Sequence, residues 1–166
     1  MMIGVNMKAI LVYYSQTGNT EKTANLLTES IEKKDIKVTK VSLERSEESS
    51  YEEDVEDAKK EALAEIKTTK TDLSEYDLLL IGTPVWCGKP ATPVNTFMEK
   101  CEGLEGMKIA TFLTHGGGGS AMTFDKIEDE LGPKGGEFVG RLELSSDEIE
   151  NEVCRKKIEE FVSIIL

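Results

Sequence analysis

The chain has 166 residues, 39% of them apolar and 31% charged, and a formal net charge of −12. This is the size and balance of a single globular domain spanning residues 1–166. The charge argues against nucleic acid and anionic membranes as partners, since both reward clustered Lys and Arg.

The elements read as follows in chain order. The first strand pattern begins only near Met7, and nothing before it has the basic-then-apolar form of a signal peptide. Ala9 to Tyr14 (AILVYY) is a continuous apolar run, the pattern of a parallel strand covered on both faces. Asn19 to Lys34 carries Ala24, Leu27 and Ile31 at helical spacing. Ile36 to Leu43 alternates and is β-branched, which suits a strand nearer an edge. Arg45 to Lys70 is long and acidic. Within it Tyr51 to Lys67 is expected as a helix, with Val55, Ala58, Ala62 and Ile66 on one stripe and Glu56 paired with Lys60. Asp77 to Ile81 is a buried strand, Pro93 to Lys100 a short helix begun by proline, and Lys108 to Leu113 the fourth strand. Ala121 to Leu131 is a helix ended by Gly132 and Pro133, and Phe138 to Leu144 is the fifth strand. Ser146 opens a last helix with Ile149, Val153, Ile158 and Phe161 on its apolar side. No apolar run approaches the ~20 residues of a membrane helix, so no membrane insertion is expected.

Strand and helix alternate throughout. That implies a parallel sheet with helices on both faces, and such sheets bind ligands beyond the carboxyl ends of the strands. Three loops stand there.

The first is Ser15-Gln16-Thr17-Gly18-Asn19-Thr20. Hydroxyls and a glycine sit where a helix exposes unpaired N–H groups, and those donors with the helix dipole favour an anion. Helix capping is the alternative for any one hydroxyl; three around a glycine favour phosphate. The segment resembles the FMN phosphate loop of flavodoxins, S/T-x-T-G-x-T, at every specified position. It is no Walker A loop, because nothing reads GxxxxGK followed by Ser or Thr.

The second is Gly82 to Pro90 (GTPVWCGKP), which holds the sole tryptophan. A large aromatic in a stiff loop either folds onto the core or covers a planar ligand. This stretch is similar to the isoalloxazine-binding loop of the flavodoxin superfamily. The resemblance implies Thr83, Pro84, Val85, Trp86, Cys87 and Gly88 as ring contacts, with Trp86 stacking. In flavodoxins with glycine directly after the aromatic, the peptide flips on reduction and its carbonyl accepts from N5–H of the neutral semiquinone. Here Cys87 intervenes. A Cβ resists positive φ, so either Gly88 flips in a shifted register or the semiquinone is less stabilised. Cys87 itself reads as a small packing residue, with a reactive thiol as the other reading.

The third is Thr114-His115-Gly116-Gly117-Gly118-Gly119-Ser120. Its glycines permit close backbone approach to a ligand. Resemblance puts Thr114, His115, Gly116, Gly117 and Gly118 beside the pyrimidine edge of the ring. The tyrosine that flavodoxins often carry here is missing, which leaves one flavin face open. Gly116, Gly118 and Ala121 also fit a dinucleotide fingerprint, but at the fourth strand rather than the first. His115 tunes the flavin or donates a proton on one reading and is structural on the other, which is preferred. No catalytic residue is assigned.

Cys87, Cys101 and Cys154 form no CxxC pair, so zinc, iron–sulfur and thioredoxin-like chemistry lose support and a reducing, cytoplasmic compartment is expected. A single histidine excludes a multi-histidine metal site. The resemblance implies a flavodoxin-like three-layer sandwich of the short form, with a five-stranded parallel sheet in the order 2-1-3-4-5 and FMN as cofactor. Two functions follow. One is a low-potential electron carrier between redox proteins, docking through the acidic stretch Glu44 to Asp57 onto basic surfaces. The other is an FMN-dependent NAD(P)H oxidoreductase acting on quinones or similar acceptors.

Overall fold

The computed structural model describes residues 6–166, so all but the last residue of the stretch read as preceding the first strand pattern lie outside them. The sheet begins with β1 (Lys8–Tyr13), whose residues after Lys8 are all buried. β2 (Lys37–Ser42), β3 (Leu78–Trp86), β5 (Lys108–His115) and β6 (Glu137–Ser145) join it in parallel, in the order β2-β1-β3-β5-β6. β4 (Lys89–Pro90) is only a return arm, antiparallel to the end of β3. With that arm set aside, the order is the one expected. The alternating strand is at one edge, as its half-exposed pattern required.

Continuous apolar strands need cover on both sides. α2 (Tyr51–Lys59), α3 (Thr92–Lys100) and α4 (Ser120–Leu131) lie over one face, above a core containing Ile10, Leu79, Phe97, Ile109 and Ile127. α1 (Asn19–Glu32) and α6 (Val153–Ile165) lie over the other, with Leu11, Leu27, Leu80, Phe112 and Val162. In β3, Gly82 leaves room that the Phe112 ring fills: a Cβ there would stand 2.1 Å from Phe112 Cζ.

Three elements differ from expectation. The helix expected to reach Lys67 stops at Lys59, because Glu61 turns left-handed with φ 53°. Ile66 is buried all the same, through an antiparallel bridge between its backbone and that of Arg45. Glu56 accordingly pairs with Lys59 at 3.0 Å rather than with Lys60. β3 runs five residues past Ile81, so Thr83 to Trp86 are strand rather than loop. The last helix is broken into α5 (Ser146–Ile149) and α6. Ser145 and Glu148 close a capping box that completes a single turn, and Val153 ends up 47% exposed.

Candidate functional site

The carboxyl ends of β1, β3 and β5 bring the three loops together. In the first, Gly18 caps α1 with φ 102°, and no side chain caps the helix. The N–H groups of its opening turn are unpartnered by helix geometry. The hydroxyls are used to shape the loop instead. Ser15 Oγ accepts from Gly18 N at 3.2 Å. Thr20 is buried, and its hydroxyl is 2.8 Å from that of Thr114, which stitches α1 to the end of β5. Thr17 and Gly18 are exposed, and Asn19 is half-buried.

In the second, Cys87 and Gly88 form a two-residue hairpin turn between β3 and β4, with Trp86 opposite Lys89. Their φ values are 53° and 75°. Two positive values in succession define the type I′ turn, whose twist matches the strands it joins. Thr83 is buried and its hydroxyl is committed: it donates to Pro84 O at 2.8 Å and accepts from Ala91 N at 2.9 Å. Pro84 and Val85 are half-buried, and Cys87 is exposed.

Of the two readings of Trp86, the structure shows the ring folded against the core. It is 6% exposed and belongs to the core over α2 and α3. The rings of Tyr14 and Tyr51 meet it edge-on, with centroids at 6.0 and 5.9 Å. The exposed aromatic is Tyr51, the first residue of α2 and 51% accessible.

In the third loop, Thr114 and His115 are the last residues of β5 and only the glycines are loop. Space around Gly116, Gly117 and Gly118 is open. Gly119 differs. It caps α4 with φ 87°, and a Cβ on it would meet Gly88 Cα at 2.9 Å and Val85 Cγ1 at 3.2 Å. The second and third loops therefore touch, backbone to backbone. His115 turns to β6, with Nε2 3.7 Å from Glu143 Oε2, while its Nδ1 is buried without a partner.

A polar cluster that the sequence did not announce lies behind the first loop. Asp54 of α2 is fully buried. It pairs with Arg45 at 2.9 Å and accepts from Gln16 Nε2 at 2.7 Å and from Ser49 Oγ. Arg45 also donates to Thr92 Oγ1 at 3.0 Å. Burial raises the pKa of the Tyr14 phenol above its ordinary value, and the Asp54 charge raises it further. A carboxylate one turn before Ala58, on the helix's buried side, was the available signal. A cleft of about 550 Å³ opens beside the cluster, lined by Tyr14, Ser15, Gln16, Arg45, Glu48 and Lys67 among others.

Fold and site together define an α/β sandwich with a glycine-capped helix end, free of any capping side chain, and two glycine-bearing loops at the same edge of the sheet. A profile of the flavodoxin family matches residues 8–159, and the chain belongs to that family. It resembles a Lactobacillus acidophilus flavoprotein whose structure is a complex with FMN: 25% identity, 82% of this chain and 93% of that one, TM-score 0.69. An oxidised flavodoxin 2 from Bacillus cereus shares the fold at 23% identity, over 95% and 97% of the two chains, with TM-score 0.68. A curated relative, an NAD(P)H dehydrogenase (quinone) of Chromohalobacter salexigens, is 30% identical over 99 residues. That stretch is 58% of this chain and 48% of the relative, about half its length. Among the described residues no helix is long and apolar enough to cross a membrane.

Proposed function

We propose that this protein binds FMN without a covalent bond and carries electrons through it between redox proteins. The observation that carries the reading is the opening of α1, glycine-capped and free of any capping side chain. Such an end offers N–H donors and the positive pole of the dipole to a phosphoryl group. The segment Ser15 to Thr20 would hold that phosphate. Thr83 to Gly88 and Thr114 to Gly118 would border the ring, with Thr83 and Thr114 acting as supports. The residues fit: three open glycines leave a ligand room beside the uncrowded opening of α1. Bound FMN supplies reversible electron uptake, while the chain supplies position and field.

The exposed carboxylates of α2 adjoin Tyr51 and suit a partner with a basic docking surface. Cys87, Cys101 and Cys154 are all free, which fits a reducing, cytoplasmic setting. The second reading, an NAD(P)H oxidoreductase for quinones, draws support from the Chromohalobacter relative.

Titration of the FMN-loaded protein with NADPH, in the absence of any partner, separates the two. Indifference to NADPH, with reduction by dithionite or a reductase protein, supports the carrier. Rapid flavin bleaching and turnover with a quinone supports the enzyme. A purified chain that takes up no flavin sinks both.

A further inference from the structure

We infer that Asp54, from inside α2, fixes the first loop from behind through the Gln16 side chain, so that the loop's backbone stands ready for a phosphoryl group. The inference rests on the flavin reading above and adds a positioning residue to it.

The exposed part of the first loop is short: Thr17 and Gly18, with Asn19 half-buried after them. Each side of this stretch is tied to a buried group. On the far side the Thr20 hydroxyl is 2.8 Å from that of Thr114. On the near side Gln16 Nε2 donates to Asp54 Oδ2 at 2.7 Å. The bond from Gly18 N to Ser15 Oγ only closes the loop on itself. The Gln16 amide is buried at its oxygen as well, so Gln16 acts on the backbone that carries it and not on a ligand.

Asp54 is suited to hold that backbone. Its carboxylate is fully buried and gathers donors from three segments: Gln16 of the first loop, Arg45 after β2 at 2.9 Å, and Ser49 just before α2. Arg45 is fixed in turn, since it donates to Thr92 Oγ1 of α3 at 3.0 Å. A buried ion pair contributes little net stability, because desolvation offsets its attraction. What this one supplies is a fixed point behind the loop. A hydrogen bond from an amide to a charged group is also stronger than one between neutral groups. Released from Asp54, the loop would keep its side-chain anchor to the rest of the fold only at Thr20. Thr17 to Asn19 would then have to be ordered at the moment of binding, which costs affinity. Asp54 touches no ligand and acts through Gln16 alone.

The test compares FMN with riboflavin, which carries the same ring and ribityl chain without the phosphate, in fluorescence titrations of the apoprotein. Gln16→Met keeps the length of the side chain and removes the donor. It is expected to lower FMN affinity about tenfold and to leave riboflavin affinity unchanged, so that the ratio of the two falls. Asp54→Ala is expected to lower the ratio at least as far, and adding Gln16→Met to it to change the ratio no further, since both cut the same bond. A general loosening of the fold would weaken the two flavins alike. Equal losses for both flavins, an unmoved ratio in Gln16→Met, or a further fall when Gln16→Met is added to Asp54→Ala overturns the inference and leaves the flavin reading standing. If Asp54→Ala does not fold, the ratio in Gln16→Met decides alone. A wild-type apoprotein that binds neither flavin overturns both.

Discussion

Replacing Gly119 with alanine tests whether the two ring-side loops depend on their backbone contact. Two costs add. Gly119 has φ 87°, and left-handed geometry costs an L-residue about 1–2 kcal/mol. The new Cβ would also stand 2.9 Å from Gly88 Cα and 3.1 Å from Gly88 N. Both are backbone atoms of a tight turn, so relief requires moving the turn, and overpacking of this kind costs about 1–3 kcal/mol. The sum is about 2–5 kcal/mol, a large part of the 5–15 kcal/mol that typically separates a domain from its unfolded state. Gly117→Ala is the control, since no atom lies within 4 Å of its would-be Cβ and its φ is outside the left-handed region. Urea unfolding of both apoproteins, followed by Trp86 fluorescence, measures the difference, and a flavin titration reports on the site. Gly119→Ala is expected to lose stability, with Gly117→Ala near wild type in unfolding, and the flavin titration then shows whether the Gly119→Ala site loses affinity as well. Indistinguishable unfolding and binding for the two variants would refute the contact.

Thr17 is exposed and Thr20 is buried against Thr114, so they fail differently. Thr17→Ala is expected to weaken FMN binding at unchanged Tm, whereas Thr20→Val strands the Thr114 hydroxyl and costs about 1–3 kcal/mol in denaturant unfolding. Cys87→Gly removes a left-handed Cβ and is expected to raise stability by about 1 kcal/mol. It also opens the type II′ form, which wants glycine at its first central position, so the central peptide can turn over and a redox titration should show the two one-electron steps moving apart. Acid should destabilise the fold through Glu148, whose pKa is lowered by the hydrogen bond from Lys157 and by the Ser145 N–H. A folded value below the unfolded one binds fewer protons in the native state, so this stability is present above the unfolded pKa and is lost as pH falls through the folded one; urea midpoints from pH 6 to pH 3 check it, with Glu148→Gln flattening the fall. Finally, a chain of net charge −12 repels a phosphate dianion at long range, so FMN affinity should rise between about 10 mM and 150 mM salt while riboflavin affinity stays level in the same titration.

What could be read from the sequence was whatever periodicity and length control. β1, β3 and β5 announced themselves as continuous apolar runs because both faces are covered, and β2 alternated because it is an edge. Long-range pairing was invisible. Nothing in the stripe Val55, Ala58, Ala62, Ile66 reveals that Glu61 would turn left-handed and send Ile66 to pair with Arg45, since both geometries bury Ile66. The two readings of Trp86 stayed open for the same reason: whether an aromatic at a strand end meets solvent depends on Tyr14 and Tyr51, one adjoining the first loop and one on α2.

The hydroxyls carry the deeper lesson. In a loop, Ser15, Thr20, Thr83 and Thr114 read as ligand donors. In the fold, Ser15 receives Gly18 N, Thr20 and Thr114 hold each other, and Thr83 receives Ala91 N. Each is spent within the protein, and what is left free, besides the exposed Thr17, is backbone: the opening turn of α1 and the open glycines after β5. A side-chain hydroxyl must be ordered when a ligand arrives, whereas an N–H fixed by its neighbours is already aimed. Thr17 apart, the chain thus uses side-chain hydrogen bonds inside the loops, where they cost no ligand affinity, and presents an ordered peptide surface to whatever binds. That division also explains why a site without a single cation in its phosphate loop can sit in so acidic a protein. Backbone dipoles act over the first turn of a helix, where distant carboxylates are already screened.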